Sequence, residues 1–193
     1  LTQLALTLNP NAKAPSNYRR LQRFLALFTL KQRHLARLLL AMLPQQTNLT
    51  LALDRTNWKL GRTHVNFLVL AVCYRGLAVP LLWRVLGKAG NSNTDERIDL
   101  IDALLEFVPR EQIALLLADR EFIGKRWLAY LEVQQIPYLV RIRSNALIGS
   151  AERARPASAV FASLGVGKQQ VLRKKRLTDF KMSGFANVAL RQK

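Results

Sequence analysis

The sequence predicts a mixed α/β fold with a polyanionic partner. Three observations carry this reading. Strand-like apolar runs joined by short turns occupy residues 49–86. From residue 94 onward, helix-like periodicity alternates with further short apolar runs. Half of the 193 residues are apolar, enough for a buried core, while 30 Lys and Arg against 12 Asp and Glu leave a net charge of +18. A single cysteine, Cys73, excludes a disulfide framework and a cysteine-based zinc site. Two histidines exclude a His-rich metal site. No apolar run approaches the ~20 residues of a membrane span, so no membrane partner is expected.

The elements follow in order. Residues 17–43 read as a basic amphipathic helix: Leu21, Phe24, Leu25 and Phe28, then Leu35, Leu38, Leu39 and Met42, follow helical spacing. Ser16 or Asn17 caps its start and Pro44 follows its end; Thr29 to Gln32 either breaks it or does not. Arg19, Arg20 and Arg23 lie between the apolar positions, as a solvated face or a DNA contact. Leu49 to Leu53 is a short strand ending at Asp54, Val65 to Tyr74 a second, and Leu77 to Leu86 a third after a turn at Gly76. Pro80 marks an edge or a bulge. Thr94 caps an amphipathic helix through Ile98, Ile101, Leu104, Leu105 and Val108, which stops before Pro109. Ile113 to Ala118 is a continuous apolar run, expected to be buried on both faces, and ends at Asp119. A helix through Trp127, Leu128 and Leu131 and a strand over Ile136 to Ile142 follow. Beyond Arg143 the signal weakens, with Val160 to Leu164 and Val188 to Leu190 as faint strand candidates.

The order β-β-β-α-β-α-β is that of ribonuclease H-like mixed sheets, with helices on the faces. The first and fourth strands are parallel neighbours in that fold, so Asp54 and Asp119 would meet at two strand ends, where open α/β sheets place ligands. The expected organisation is a basic helical segment over 1–47, the ribonuclease H-like core over 48–145, and the start of a basic β-rich insertion over 146–193.

Charge sharpens the partner. Residues 1–53 carry seven Lys or Arg and no acid. Residues 54–119 are balanced, with eight of each sign, and residues 120–193 carry fifteen basic and four acidic residues. Basic wings around a neutral centre suit a polyanion held beside a site. At the centre, two carboxylates from adjacent strand ends suit Mg²⁺, which takes carboxylate oxygens and completes its shell with water and substrate phosphate. Two such ions about 4 Å apart would serve an in-line phosphoryl transfer. Each aspartate alone has an ordinary explanation, Asp54 as a turn residue and Asp119 as a helix cap. Their matched positions in a basic chain favour the metal site.

The stretch Leu51-Ala52-Leu53-Asp54-Arg55-Thr56-Asn57-Trp58-Lys59-Leu60-Gly61 resembles the first catalytic block of DDE transposases from bacterial insertion sequences. Leu116-Leu117-Ala118-Asp119-Arg120-Glu121-Phe122 resembles their second block, and Gly90 to Arg97 between them also reads like this family. The resemblance is close over roughly 49–145. It implies a ribonuclease H-like core, dependence on two Mg²⁺ or Mn²⁺ ions, and cleavage and joining of double-stranded DNA at transposon ends and target. It also implies a homodimer on DNA in the bacterial cytoplasm, associated with the nucleoid. Asp54 and Asp119 match the first two acids of the triad as catalytic and metal-binding residues.

The third acid of that family is a Glu in a Tyr-x2-Arg-x3-Glu-x6-Lys pattern. Of the four tyrosines only Tyr138 has an arginine three residues on, and Asn145 stands where the Glu belongs. The chain also opens on Leu1 rather than Met. The expectation is therefore a fragment ending before the catalytic Glu, inactive alone. Glu121 is either an acid supporting the pair or a residue favoured by the dipole of the following helix. Arg55 and Arg120 contact phosphates or pair with the aspartates. Lys59, Lys125 and the cluster Arg173, Lys174, Lys175 and Arg176 are further DNA-contact candidates, the cluster as a phosphate-contacting strand or loop. Trp58 and Trp127 read as packing residues, and His64 as structural. Two other functions stay open: a non-catalytic nucleic-acid-binding module, and a ribonuclease H-like nuclease that completes its site with Glu121.

Overall fold

A computed structural model of the protein describes residues 1–149, 152–165, 168–175 and 186–191. The chain divides into two units, Leu1–Gln32 and Arg33–Lys193. The first unit contains α1 (Thr2–Thr7) and α2 (Ala14–Leu27). The helix expected over 17–43 is two helices. The chain leaves helical geometry at Phe28, whose ψ of 118° is extended, and resumes at α3 (Gln32–Ala41). The expected caps are corrected as well. Lys13 precedes α2, and Pro15 fits its first turn because no intrahelical N–H is needed there. Asn17 lies inside the helix and is buried. Its side-chain amide donates to the carbonyls of Ala5 (3.0 Å) and Asn9 (2.9 Å), tying α1 and its following turn to α2.

The second unit is built on a five-stranded sheet in the order β3-β2-β1-β4-β5. The strands are β1 (Leu49–Leu60), β2 (Thr63–Tyr74), β3 (Leu77–Leu86), β4 (Ile113–Ala118) and β5 (Tyr138–Val140). The first three form an antiparallel meander, and β4 lies parallel to both β1 and β5. This is the ribonuclease H-like mixed sheet that the strand order predicted. Both meander turns have two residues. Gly61 (φ 60°) opens the first, and Arg75 (φ 49°) with Gly76 (φ 81°) makes the second. Positive φ matches the turn twist to that of the strands. Pro80 satisfies both expectations at once: β3 is an edge strand, and the register slips so that Ala71 faces Pro80 while Leu70 faces Leu82.

Alternation along β1 sets the core. Leu49, Leu51 and Leu53 are buried, as are Leu68, Leu70 and Val72 beside them on β2. Between β3 and β4 runs α4 (Thr94–Leu105), and between β4 and β5 runs α5 (Lys125–Val133). Leu100, Ile101 and Leu104 of α4, Trp127, Leu128 and Leu131 of α5, and Ala36 of α3 join the leucines in one apolar cluster. Trp127 is thus a packing residue. The cap of α4 is Asn93 rather than Thr94, because Asn93 and Glu96 form a reciprocal capping box.

Three expectations differ in the sheet and beyond it. β1 does not stop at Asp54 but runs on to Leu60, because β2 continues to pair with it. β4 is not buried on both faces: Ile113 and Leu116 are buried, Leu115 and Leu117 are half-buried, and Ala114 is exposed. β5 spans three residues instead of the seven of Ile136 to Ile142. Later, the strand expected at Val160 to Leu164 is a short helix, α6 (Ala157–Val160), and a turn. There Ala157 and Phe161 bury themselves against Ile148. Short ladders β6 (Leu147–Ile148) with β7 (Arg155–Pro156), and β8 (Gln169–Lys175) with β9 (Ala186–Arg191), complete the described elements. β9 includes Val188 to Leu190. No helix among the described residues is long and apolar enough to cross a membrane.

Candidate active site

The last pair in the parallel ladder between β1 and β4 is Leu53 with Ala118. Asp54 and Asp119 are the next residues on the two chains. Neighbouring strands lie about 4.8 Å apart, so the carboxylates spring from adjacent backbone positions. Both follow, by one residue, positions of the ladder that face the core side. They therefore share the opposite face with Ala52 and Leu117, which pair across the same ladder.

Asp54 is exposed, and its Oδ1 accepts the backbone N–H of Arg55 at 2.8 Å. Asp119 does not cap a helix, since α5 starts only at Lys125 behind Gly124. Its backbone carbonyl accepts the N–H of Phe122 (2.9 Å), which turns the chain away from the sheet. Its Oδ1 is a buried oxygen with no hydrogen bond. Arg141 Nη1 stands at 3.5 Å, a long ion contact from a side chain that is otherwise mostly in solvent. A buried carboxylate oxygen without a donor is costly unless a cation completes it. The donor set, two carboxylates open to solvent on one side, suits a hard divalent ion such as Mg²⁺ or Mn²⁺. Among the described residues no group of three or more His, Cys, Asp and Glu stands together as a candidate metal site.

Arg55 is engaged elsewhere. Its Nε and Nη2 donate to the two carboxylate oxygens of Glu121, both at 3.0 Å. Its Nη1 donates to Asn57 Oδ1 (3.0 Å) and Asn66 Oδ1 (3.3 Å), and its Nη2 also donates to Asn91 Oδ1 (3.3 Å). All five N–H donors of a guanidinium are then used. The forked pair binds the residue after Asp54 to the residue two beyond Asp119, so it holds both aspartate segments in one arrangement. Glu121 is thereby committed to Arg55.

Behind this pair stands a polar plug. Asn66 is buried and donates to the carbonyls of Lys88 (3.1 Å) and Gly90 (2.8 Å). Arg97, also buried, donates to Ser92 Oγ (2.9 Å), to the Ser92 carbonyl (2.6 Å) and to the Glu121 carbonyl (3.2 Å), with its guanidinium 5.1 Å from the Phe122 ring centre. Burial lowers the pKa of Arg97, and the charges of Glu121 and Glu96 oppose that shift. Sequence reasoning missed Asn66 and Arg97. Asn66 carried a signal, a polar residue at a core-facing position of an apolar strand.

Residues 45–187 match the transposase DDE domain family. The chain belongs to that family. The match covers most of the chain and includes both aspartates of the site. No curated protein matches the chain in sequence. Among solved structures, the chain is similar to the HTLV-2 integrase catalytic core domain in complex with magnesium. That similarity has 12% identity and a TM-score of 0.37, over 49% of this chain and 61% of that one. It is also similar to a chain of the simian T-cell lymphotropic virus intasome (13%, 0.39, over 51% and 34%) and to human ENDOV (14%, 0.37, over 83% and 74%). The chain thus spans about three-fifths of the first of these structures' chains and a third of the second.

The basic candidates fall in separate places. Arg19, Arg20 and Arg23 are exposed on α2 of the first unit. Arg120 is exposed directly after Asp119, Lys125 is exposed at the start of α5, and Lys59 is exposed further along β1 from Asp54. Arg173, Lys174 and Lys175 lie on β8, and Arg176 lies outside the described residues.

Proposed function

We propose that this DDE domain is the catalytic part of a DNA transposase, a polynucleotidyl transferase that cuts insertion-sequence ends and joins them to target DNA. The observation that carries the reading is the placement of Asp54 and Asp119 in register at the end of the β1–β4 ladder, with the Asp119 Oδ1 making no hydrogen bond and only a long ion contact to Arg141. These two carboxylates would hold one or two Mg²⁺ or Mn²⁺ ions. A divalent ion bound there stabilises charge on the phosphoryl group and lowers the pKa of bound water. The Arg55–Glu121 fork keeps the two acids at one spacing, and positioning contributes strongly in phosphoryl transfer. Arg120 next to Asp119, with Lys125 at the start of α5 and Lys59 further along β1, would contact DNA phosphates, which set register without reading sequence. The arginines of α2 and the Arg173 to Arg176 cluster would add salt-sensitive affinity. The natural assembly would be a homodimer on DNA in the bacterial cytoplasm.

With Glu121 engaged by Arg55, the polypeptide of residues 1–193 brings two acids to the site and is expected to be silent in catalysis by itself. Missing one carboxylate should cost several kcal/mol of transition-state stabilisation, hence orders of magnitude in rate at about 1.4 kcal/mol per tenfold.

Titration with Mn²⁺, followed by calorimetry and by the electron paramagnetic resonance signal of free ion, tests the metal reading. Wild-type protein should bind the ion, and Asp54→Asn and Asp119→Asn should each weaken binding at least tenfold. All three proteins should hold a 30-bp duplex equally, with an affinity that falls steeply with salt. Mn²⁺ binding that ignores both substitutions would leave a nucleic-acid-binding module instead. Metal-dependent nicking of supercoiled plasmid by wild-type protein, absent in Asp54→Ala, would overturn the expectation of silence.

A further inference from the structure

The strand that carries Asp54 continues past the site into a ribbon of which the catalytic reading uses Lys59 alone. β1 loses β4 after Leu53, and β2 loses β3 beyond the Asn66–Leu86 pair. From Trp58 to Val65 the two strands therefore pair only with each other. Trp58 stands on this tip with 63% of its surface in solvent. It is not the packing residue expected from sequence. Its sole ring partner among the described residues is Phe67, edge-on at 5.9 Å.

Three features distinguish the tip from an ordinary surface hairpin. Position is the first. Residues 54, 56 and 58 alternate onto one face of β1, so Trp58 shares the face of Asp54, about 13 Å further along at 3.3 Å per residue. That is the rise of about four stacked base steps. Charge is the second: Lys59, on the other face of β1, and Arg62, in the turn, are both exposed at the tip, and no Asp or Glu occurs between Asp54 and Asp95. Exposure of a large aromatic is the third, because a two-stranded ribbon gains little stability by itself and leaves this ring unused for packing. An exposed aromatic ring with cations around it is the arrangement that receives single-stranded nucleic acid, with the ring stacking on a base and the cations following the backbone.

We propose that the β1–β2 tip is a binding arm for an unpaired DNA strand next to the bond being cut, with Trp58 stacking on a base and Lys59 and Arg62 on flanking phosphates. The proposal rests on the transposase reading for the location of the cut. Sequence tolerance follows from the chemistry, since every base offers a π-face.

The test uses the full chain and two probes, a 20-nucleotide oligodeoxythymidylate and a 20-bp duplex, at two salt concentrations. Trp58→Ala should weaken the single-stranded probe about tenfold or more, the effect of losing one stacked base, and leave duplex affinity within about twofold. Trp58→Phe should keep most of the affinity. Lys59→Gln with Arg62→Gln should flatten the salt dependence for the single strand by about 0.7 per charge removed. Thermal melts should coincide for all variants, because the tip is exposed. Equal single-strand affinity for wild type and Trp58→Ala overturns the proposal while leaving the metal test of Asp54 and Asp119 untouched. A change from dimer to monomer in Trp58→Ala on gel filtration would assign the tip to contact between copies and overturn it equally. Failure to bind either probe would remove the transposase reading and this arm with it.

Discussion

The two halves of β1 obey the same alternation and meet different surroundings. In Leu49–Leu53 the strand is flanked by β2 and β4, and its core-facing side chains are three leucines, each less than 5% exposed. In Arg55–Leu60 only β2 remains beside it, and the same side continues as Arg55, Asn57 and Lys59. Asp54 stands at the joint, on the other side. The difference teaches where this fold converts structure into chemistry. Apolar burial holds the strand as far as β4 reaches, and where that neighbour ends an ion pair and a set of amides take over. The acid at the changeover is left with solvent on one side and a rigid backbone on the other. A site on sheet ends inherits its precision from that rigidity.

The comparison breaks most clearly in its first half. Leu51 is fully buried, opposite Val72 on β2 and Leu116 on β4 in one apolar cluster. Leu51→Ala should cost about 2–5 kcal/mol of folding stability through lost transfer energy and the cavity left behind. That is a large share of the ~5–15 kcal/mol by which domains of this kind are stable. Urea unfolding followed by far-ultraviolet circular dichroism reads it as a lowered midpoint with an unchanged slope. A loss below about 1 kcal/mol would mean that the first half is not held by packing.

Much of this contrast was legible in the sequence. The run Ile113 to Ala118 matches β4 residue for residue, and Leu77 to Leu86 matches β3. Asp54 and Asp119 stand out as candidates because an acid directly after an apolar run is conspicuous. The second half of β1 was not legible. Arg55, Thr56 and Asn57 are three polar residues in a row, so the apolar run breaks off just past Asp54, and the short alternation of Trp58 and Leu60 with Asn57 and Lys59 is too brief to read; pairing with β2 makes it a strand. The partner of Arg55 was hidden for a similar reason. Glu121 lies far along the chain, and nothing local distinguishes a carboxylate that caps a helix from one that receives a guanidinium. Trp58 was misjudged because burial is the default for tryptophan, and no composition rule tells that its strand has lost a neighbour.

The second half breaks at the ion pair. Side chains of Arg55 and Glu121 are 13% and 22% exposed, and Glu121 would be stranded by loss of Arg55. Arg55→Ala leaves a largely desolvated carboxylate and three amide acceptors without their donor, and should cost about 3 kcal/mol. Glu121→Ala should cost somewhat less, because Asn57, Asn66 and Asn91 still receive the guanidinium. The double variant should be less unstable than the sum of the two, by about 1 kcal/mol or more. An additive result would show that the two side chains act independently. It would also remove the fork as the device that fixes the aspartate spacing.

The smallest effect lies at the rim of the plug, where the segment that supplies Asn91 and Ser92 enters α4. Asn93 Oδ1 accepts the N–H of Glu96 at 2.8 Å, and Glu96 Oε2 accepts the N–H of Asn93 at 2.7 Å, while Lys88 Nζ stands 2.9 Å from Glu96 Oε1. Asn93→Ala should cost about 1 kcal/mol at neutral pH, as loss of a cap usually does. Burial raises the pKa of Glu96, but the hydrogen bonds from Lys88 and from the Asn93 backbone, with the charges of Lys88 and Arg84, outweigh it and leave the carboxyl below its ordinary range. The sign follows by linkage. A carboxyl whose pKa is lower folded than unfolded binds fewer protons in the folded state. Its contribution is complete above the ordinary Glu value, near 4.3, and disappears as pH falls through the folded value. Glu96→Gln should therefore lie below wild type in urea midpoint at pH 7, and the two should converge as pH drops below about 4. Curves that run parallel down to pH 3 would mean that Glu96 holds α4 by hydrogen bonding alone, with no help from its charge.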